Sequence, residues 1–233
     1  MKCWCGESNL RGFHPDYMQC TYCGTFVSTK TREKDLYSFE TYWHDRQTKK
    51  YGFPSIEQRA KDDFGNRIPF WWNRLVALPP MTSILEIGAG HGGFLSHCKQ
   101  HDFTRCVGVE ISENTCQFAR DTFGVEMICG DFPDVDIPGE FDVVCAFDVL
   151  EHIPDPIKAL TKMKEMGTYT VIQTPCYRGE GLSFPHFQAD EHVFIFTDVS
   201  IKILIESVGL KILTSVRGAY TNDICITGYR DEI

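Results

Sequence analysis

Apolar and polar positions change rhythm twice along the chain. From residue 81 onward, near-continuous apolar runs at 83–87, 106–110, 127–129, 141–146 and 169–173 read as strands buried on both faces. Between and after them, helices are expected over 93–100, 113–122, 157–166 and 198–208, the last stopped by Gly209. Two closing strands, 211–215 and 224–229, lie too close in sequence for a parallel crossover and are expected to pair antiparallel. Strand–helix alternation of this kind predicts an α/β fold built on a doubly wound parallel sheet. Residues 36–80 have a different texture, with Tyr37, Phe39, Tyr42, Trp43, Phe64, Phe70, Trp71 and Trp72 set among basic side chains. Ser55-Ile56-Glu57-Gln58, behind Pro54, reads as a helix start, and two or three short helices are expected before Pro79-Pro80 marks a boundary. Residues 1–35 are too few to fold on an apolar core of their own. Three segments follow: 1–35, 36–80 and 81–233.

Composition narrows the class. A chain of 233 residues with 42% hydrophobic and 24% charged residues is globular, with room for one domain and a smaller attachment. No run of about 18 apolar residues occurs, so no membrane partner is expected. The opening Met1-Lys2-Cys3-Trp4-Cys5-Gly6 lacks the apolar core of a signal peptide, and a reducing, cytoplasmic setting is expected. A net charge of -9 argues against nucleic acid as a partner. The composition leaves the oligomeric state open.

Eleven cysteines change the picture. Seven (Cys98, Cys106, Cys116, Cys129, Cys145, Cys176, Cys225) are scattered in mostly apolar surroundings and read as small buried hydrophobes. The other four form two knuckles, Cys3-x-Cys5 and Cys20-x2-Cys23, each followed by glycine. Two such knuckles close a tetrahedral structural zinc site, whose binding energy folds the segment. The first knuckle is one residue shorter than usual, so His14 stands as an alternative to Cys3 or Cys5.

Glu86-Ile87-Gly88-Ala89-Gly90-His91-Gly92-Gly93 follows the first strand of the alternating region and opens a helix. Its glycine spacing alone also fits a dinucleotide loop. Three residues favour another ligand. Glu86 would repel a pyrophosphate and attract a cation. Glu110, about twenty residues on, suits a ribose; NAD sites share that feature, so it fixes a ribose rather than the cofactor. Asp131-Phe132 after the third strand suits the edge and face of an adenine.

With Phe141-Asp142-Val143-Val144 and Asp148-Val149-Leu150-Glu151-His152-Ile153, these motifs resemble the class I S-adenosylmethionine-dependent methyltransferases over residues 81–233. With the cysteine-rich front, the chain is similar to zinc-ribbon-bearing bacterial methyltransferases, a group that includes sugar and polysaccharide enzymes. The resemblance implies a Rossmann-like, seven-stranded sheet behind a zinc ribbon and a short helical segment that caps the cofactor site. It implies S-adenosyl-L-methionine as cofactor, with Gly88, Gly90 and Gly92 cradling its methionine part and Glu86 near the amino group. It places Glu110 on the ribose, Ile111, Asp131 and Phe132 around the adenine, and Phe147 and Asp148 on the methionine side. A small hydroxylated acceptor, a sugar or polysaccharide precursor, follows from the same resemblance.

An oxygen or carbon acceptor also needs its proton removed. His152, in the loop after the fourth strand, and His192, after a long loop over 176–190, are the candidate bases. Each also reads as a structural histidine. Tyr42, Trp43, His44 and Arg46 either close over the cofactor or pack as an amphipathic helix. Three other functions remain open: an RNA methyltransferase gripping its substrate with the ribbon, a non-catalytic binding module, and a dehydrogenase. The ribbon is nearly neutral, with Lys2, Arg11, Lys30, Arg32 and Lys34 set against Glu7, Asp16, Glu33 and Asp35, which speaks against the first.

Overall fold

A computed structural model describes residues 1–31, 36–37 and 40–231 of the chain. Arg32, Glu33, Lys34, Asp35 and Phe39 lie outside the described residues, as does the side chain of His44.

The chain opens with three short strands, β1 (Leu10–His14), β2 (Tyr17–Cys20) and β3 (Phe26–Ser28). A π-helical stretch, Glu40–Gln47, runs into α1 (Thr48–Tyr51). Then come α2 (Ile56–Gly65) and α3 (Arg67–Leu75). Ser55 caps α2 as its sequence position predicts, its hydroxyl accepting the Gln58 N–H. Alternation begins at β4 (Ser83–Ile87), followed by α4 (Gly93–Lys99), β5 (Arg105–Glu110), α5 (Glu113–Phe123), β6 (Glu126–Cys129) and β7 (Phe141–Phe147). The chain closes with α6 (Pro156–Met166), β8 (Gly167–Tyr177), β9 (Phe194–Thr197), α7 (Asp198–Ser207), β10 (Leu210–Arg217) and β11 (Asp223–Arg230).

The described residues fall into two compact units. One comprises Lys34–Ala146 with Met166–Thr168. Its strands run parallel in the order β7-β4-β5-β6. Ile84, Leu85 and Ile87 of β4 are buried, as are Val107 and Val109 of β5 and Val143 to Ala146 of β7, as strands covered on both faces must be. Asp142 ties the lower ends of two strands together, accepting the N–H groups of Thr82 and Ser83 and the Ser83 hydroxyl. Trp43 is buried and donates its indole N–H to Thr115 of α5, so this aromatic of the helical segment is a packing residue.

The other unit gathers Met1–Glu33, Phe147–Glu165 and Tyr169–Ile233. Here β11 lies antiparallel between β8 and β10, as the short connection requires. Strand β8 is longer than the sequence pattern implies. It runs on through Pro175 to Tyr177, because Cys176 and Tyr177 find a parallel partner in Phe196 and Thr197 of β9. The 176–190 stretch, read as a loop without elements, therefore begins inside a strand and also holds a short 3₁₀ turn at Gly181–Ser183.

The cysteine-rich segment is continuous with this unit. Strand β3 pairs antiparallel with β9, Phe26 opposite Ile195 and Val27 opposite Phe194. Tyr17 and Phe26 are buried with Phe184, Ala189 and Ile195, and Phe13, Tyr177 and Phe187 pack against them. The segment thus shares an apolar core that it could not build alone. Among the described residues, no helix is long and apolar enough to cross a membrane.

Candidate functional site

The glycine loop between β4 and α4 is a tightly satisfied turn. Gly88, Gly90 and Gly92 have φ of 68°, 52° and 77°, the left-handed region where glycine costs least. Gly88 and Ala89 both donate their N–H to the Val109 carbonyl, and Gly92 donates to Ala89. Gly90 N–H goes to Glu110 Oε2 (3.1 Å), and Gly93 N–H to His91 Nδ1 (3.0 Å). A dinucleotide loop instead turns such donors toward a pyrophosphate. Here the protein consumes them.

The glycines have separate reasons to be glycine. A Cβ on Gly92 would lie 2.8 Å from Ala119 Cβ and 2.9 Å from Val125 Cγ2, so this position serves close packing against α5. A Cβ on Gly90 would meet nothing closer than the Gly88 carbonyl oxygen at 4.0 Å. That face of the loop is bare backbone in open space.

Two carboxylates flank the loop. Glu86 is buried, and its Oε2 has no hydrogen-bond partner. Burial pushes its carboxyl well above the usual range, and the Arg67 guanidinium pulls the other way. A buried acceptor without a donor suits a cationic ligand group. Glu110, at the end of β5, accepts Ser112 N–H on Oε1 (3.0 Å) in addition to Gly90 N–H on Oε2, so the carboxylate is held rigid with lone pairs to spare. Burial raises its pKa, against the lowering by these backbone donors. Gly130 donates its N–H to the Glu110 carbonyl, which sets the end of β6 beside the end of β5. Ile111, 39% exposed, and Asp131, also exposed, lie at these two strand ends. Phe132 is buried.

His91 was not singled out by sequence reasoning, and it secures the loop. It is buried, accepts Gly93 N–H on Nδ1, and therefore donates from Nε2 to Asp63 (2.9 Å). Asp63 on α2 also takes Arg59 and a two-pronged contact from Arg67. Burial alone would raise the Asp63 carboxyl, but His91, Arg67 and Arg59 outweigh it and hold the pKa far below the usual range. For His91, burial wins over Asp63 and lowers the pKa, in keeping with a neutral ring whose two nitrogens play opposite parts.

In the other unit, Phe147 is buried and Asp148 takes a left-handed φ of 58°. Asp148 donates its N–H to the Gln173 carbonyl and accepts the Gln173 amide on Oδ1 (3.0 Å). Leu150–His152 forms a single 3₁₀ turn. His152 Nδ1 donates to the Glu191 carbonyl (3.0 Å), and His192 Nδ1 to the His186 carbonyl (2.8 Å). The two rings meet edge to face, 4.8 Å between centroids. The structure thus brings together two histidines forty residues apart. It adds Glu151, which is buried, receives the Thr174 hydroxyl on Oε2 and leaves Oε1 unbonded. Burial, reinforced by Asp148, pushes the Glu151 carboxyl well upward.

The four N-terminal cysteines converge. Cys3 and Cys23 Sγ are 3.6 Å apart, Cys5 and Cys20 Sγ 3.7 Å, and all four sulfurs lie within 4.8 Å of one another. Thiolates about 2.3 Å from a tetrahedral zinc stand about 3.8 Å apart, so the donor set and its spacing fit zinc. Gly6 and Gly24 end the knuckles at positive φ. His14 is elsewhere: its Nδ1 accepts Asp16 N–H and its ring lies against Phe187. Of the seven scattered cysteines, Cys129 is partly exposed and the rest are buried, with no disulfide.

A family profile described as "Methyltransferase domain" matches residues 42–215, about three quarters of the chain. A curated 2-methyl-6-phytyl-1,4-hydroquinone methyltransferase from Synechocystis is 30% identical over 135 residues, which is 50% of this chain and 39% of that protein. A ubiquinone biosynthesis O-methyltransferase from Thiobacillus denitrificans is 28% identical over 101 residues, 39% of this chain and 43% of that protein. The chain thus spans about two fifths of these relatives' length. In fold, it is similar to magnesium protoporphyrin IX methyltransferase from Synechocystis PCC 6803, crystallised with SAH bound. That match has a TM-score of 0.58 at 15% identity and covers 76% of this chain and 86% of that one.

Proposed function

The chain belongs to the methyltransferase domain family, and on that premise we propose that it transfers a methyl group from S-adenosyl-L-methionine to a hydroxyl of a small acceptor. When bound, the cofactor supplies an electrophilic methyl group on a sulfonium. The observation that carries the reading is the pair of carboxylates at a loop that uses up its own N–H donors. Glu86 would neutralise the ammonium of the methionine part, and Glu110 would accept the ribose hydroxyls. The bare face of Gly90, with Gly88 and Gly92 shaping the turn, would let the methionine part approach. Ile111, Phe132 and Asp131 would hold the adenine, and Phe147 and Asp148 the methionine side. Glu86, beside the loop, disfavours the pyrophosphate of a dinucleotide, which argues against a dehydrogenase, whereas Glu110 would serve the ribose of either cofactor.

On the acceptor side, each of His152 and His192 donates from Nδ1, so in the neutral ring Nε2 carries the lone pair a base needs. A sugar hydroxyl is the acceptor that the ribbon-bearing resemblance suggests. One relative is named for a hydroquinone and the other for O-methylation in ubiquinone biosynthesis, and together these names speak for a quinol-type acceptor. Both molecules carry hydroxyls, and O-methylation of either would use the same chemistry. The four cysteines would hold a structural zinc, since a closed four-sulfur site leaves no position for substrate.

Calorimetry with S-adenosylmethionine tests the cofactor half: Glu110→Ala, and the milder Glu110→Gln, should weaken binding at least tenfold, and unchanged affinity would remove the assignment. Turnover with methyl-labelled cofactor against matched panels of sugars and dihydroxybenzenes then separates the acceptors.

A further inference from the structure

Glu151, His152 and His192 do more than place a base. One ligand atom from each lies within 4.8 Å of the others. We propose that they form a second metal site, a divalent transition-cation centre of two imidazoles and one carboxylate, which takes an acceptor hydroxyl as an outer ligand.

The carboxylate is the first argument. Glu151 is 1% exposed, and Oε1 has no hydrogen-bond partner although Oε2 is held by Thr174. The His152 Nε2 stands 3.8 Å from Oε1, too far for a hydrogen bond and close to the roughly 3–4 Å between two ligands of one ion. The histidines are the second. Both rings are anchored through Nδ1 on backbone carbonyls, at 3.0 and 2.8 Å. That arrangement fixes the ring orientation and puts the lone pair of the neutral ring on Nε2, as in metal-ligating histidines. A further tie holds the second ring's backbone: the Tyr17 hydroxyl donates to the His192 carbonyl (2.9 Å).

A base alone would need one such ring. Two imidazoles converging on a buried carboxylate put three electron-rich atoms together, and a cation balances them. Two nitrogens and one oxygen select Mn2+, Fe2+ or Zn2+ over Ca2+ or Mg2+. Three protein ligands leave positions open. A hydroxyl bound there becomes more acidic: its O–H bond breaks, the proton goes to water, and the electron pair stays on the oxygen as the nucleophile. The role given to the acceptor rests on the O-methylation reading above, whereas the cation site stands on the side chains alone.

Mn2+ titration separates the two. The full-length protein, dialysed until metal analysis gives one zinc per chain (the equivalent that the four thiolates hold most tightly), is titrated with Mn2+ while the free-ion electron paramagnetic resonance signal is followed. About one Mn2+ per chain is expected, with Glu151→Gln and His152→Gln each weakening binding at least tenfold. Circular dichroism and S-adenosylmethionine affinity should stay as in the unmodified chain. No saturable Mn2+ binding by the unmodified chain, or binding that neither variant weakens, would overturn the site. Methyl transfer that proceeds undiminished in chelator would overturn the role in hydroxyl activation while leaving the methyltransferase reading intact. If Glu151→Gln fails to fold, His152→Gln and the unmodified chain still decide the question.

Discussion

Asp63 shows how single residues set the pH limits of this protein. It carries its charge among Arg59, Arg67 and His91, so the folded chain binds fewer protons here than the unfolded one. Its depressed pKa stabilises the fold fully above the unfolded value, about 3.9, and that contribution is lost as pH falls through the folded pKa. His91 acts in the same sense one window higher. Its folded pKa lies below the unfolded value of about 6.5, so the unfolded chain protonates first and stability declines as pH drops below that point. Measured against His91→Gln, the urea midpoint of the unmodified chain should therefore be level above neutral and fall below it, while the raised carboxyls of Glu86, Glu110 and Glu151 act in the opposite sense in both proteins. A difference between the two proteins that stays constant down to pH 5 would show that the ring is not held neutral. Asp63→Ala, which strands two largely buried guanidinium groups, should cost about 3–5 kcal/mol, read from the same denaturation curves.

At the scale of elements, Gly90 and Gly92 make opposite forecasts. Gly92→Ala forces a Cβ into Ala119 and Val125 at positive φ, a loss of at least about 2 kcal/mol. Gly90→Ala has room, so it should cost about 1–2 kcal/mol for the backbone conformation alone and chiefly weaken cofactor affinity. Thermal unfolding and calorimetry on the pair check both halves; equal effects on both readouts would contradict the division. The strands and helices of the alternating region were legible because their signals are local: apolar runs, caps such as Ser55, the stop at Gly209. So was the glycine loop, whose residues are contiguous. What the pattern did not disclose is pairing at a distance. Nothing near Cys176 announces that β8 continues, since the reason is β9. Nothing near His91 announces Asp63, or near Glu151 the ring of His192. The four cysteines were legible as a set because thiolate chemistry limits what two knuckles do together, yet their strand partner was not.

For the whole molecule, the consequential join is that between the cysteine-rich segment and the strand near Ile195. Because Tyr17 and Phe26 share a core with Phe184, Ala189 and Ile195, metal removal should loosen more than the first thirty residues. Hydrogen exchange with and without a strong chelator should show faster exchange over residues 184–196 as well as 3–28; protection unchanged in the later stretch would mean that the segment hangs on independently. The same join orders events in time. Strand β3 leaves the ribosome about 170 residues before its partner β9, an interval of roughly 10–30 s at ordinary elongation rates. Through that interval Phe26 has no Ile195 to cover it. Four thiolates closing on one ion would need no residue beyond Cys23, so a bound zinc would give the newborn segment a shape of its own before the strand it must join exists.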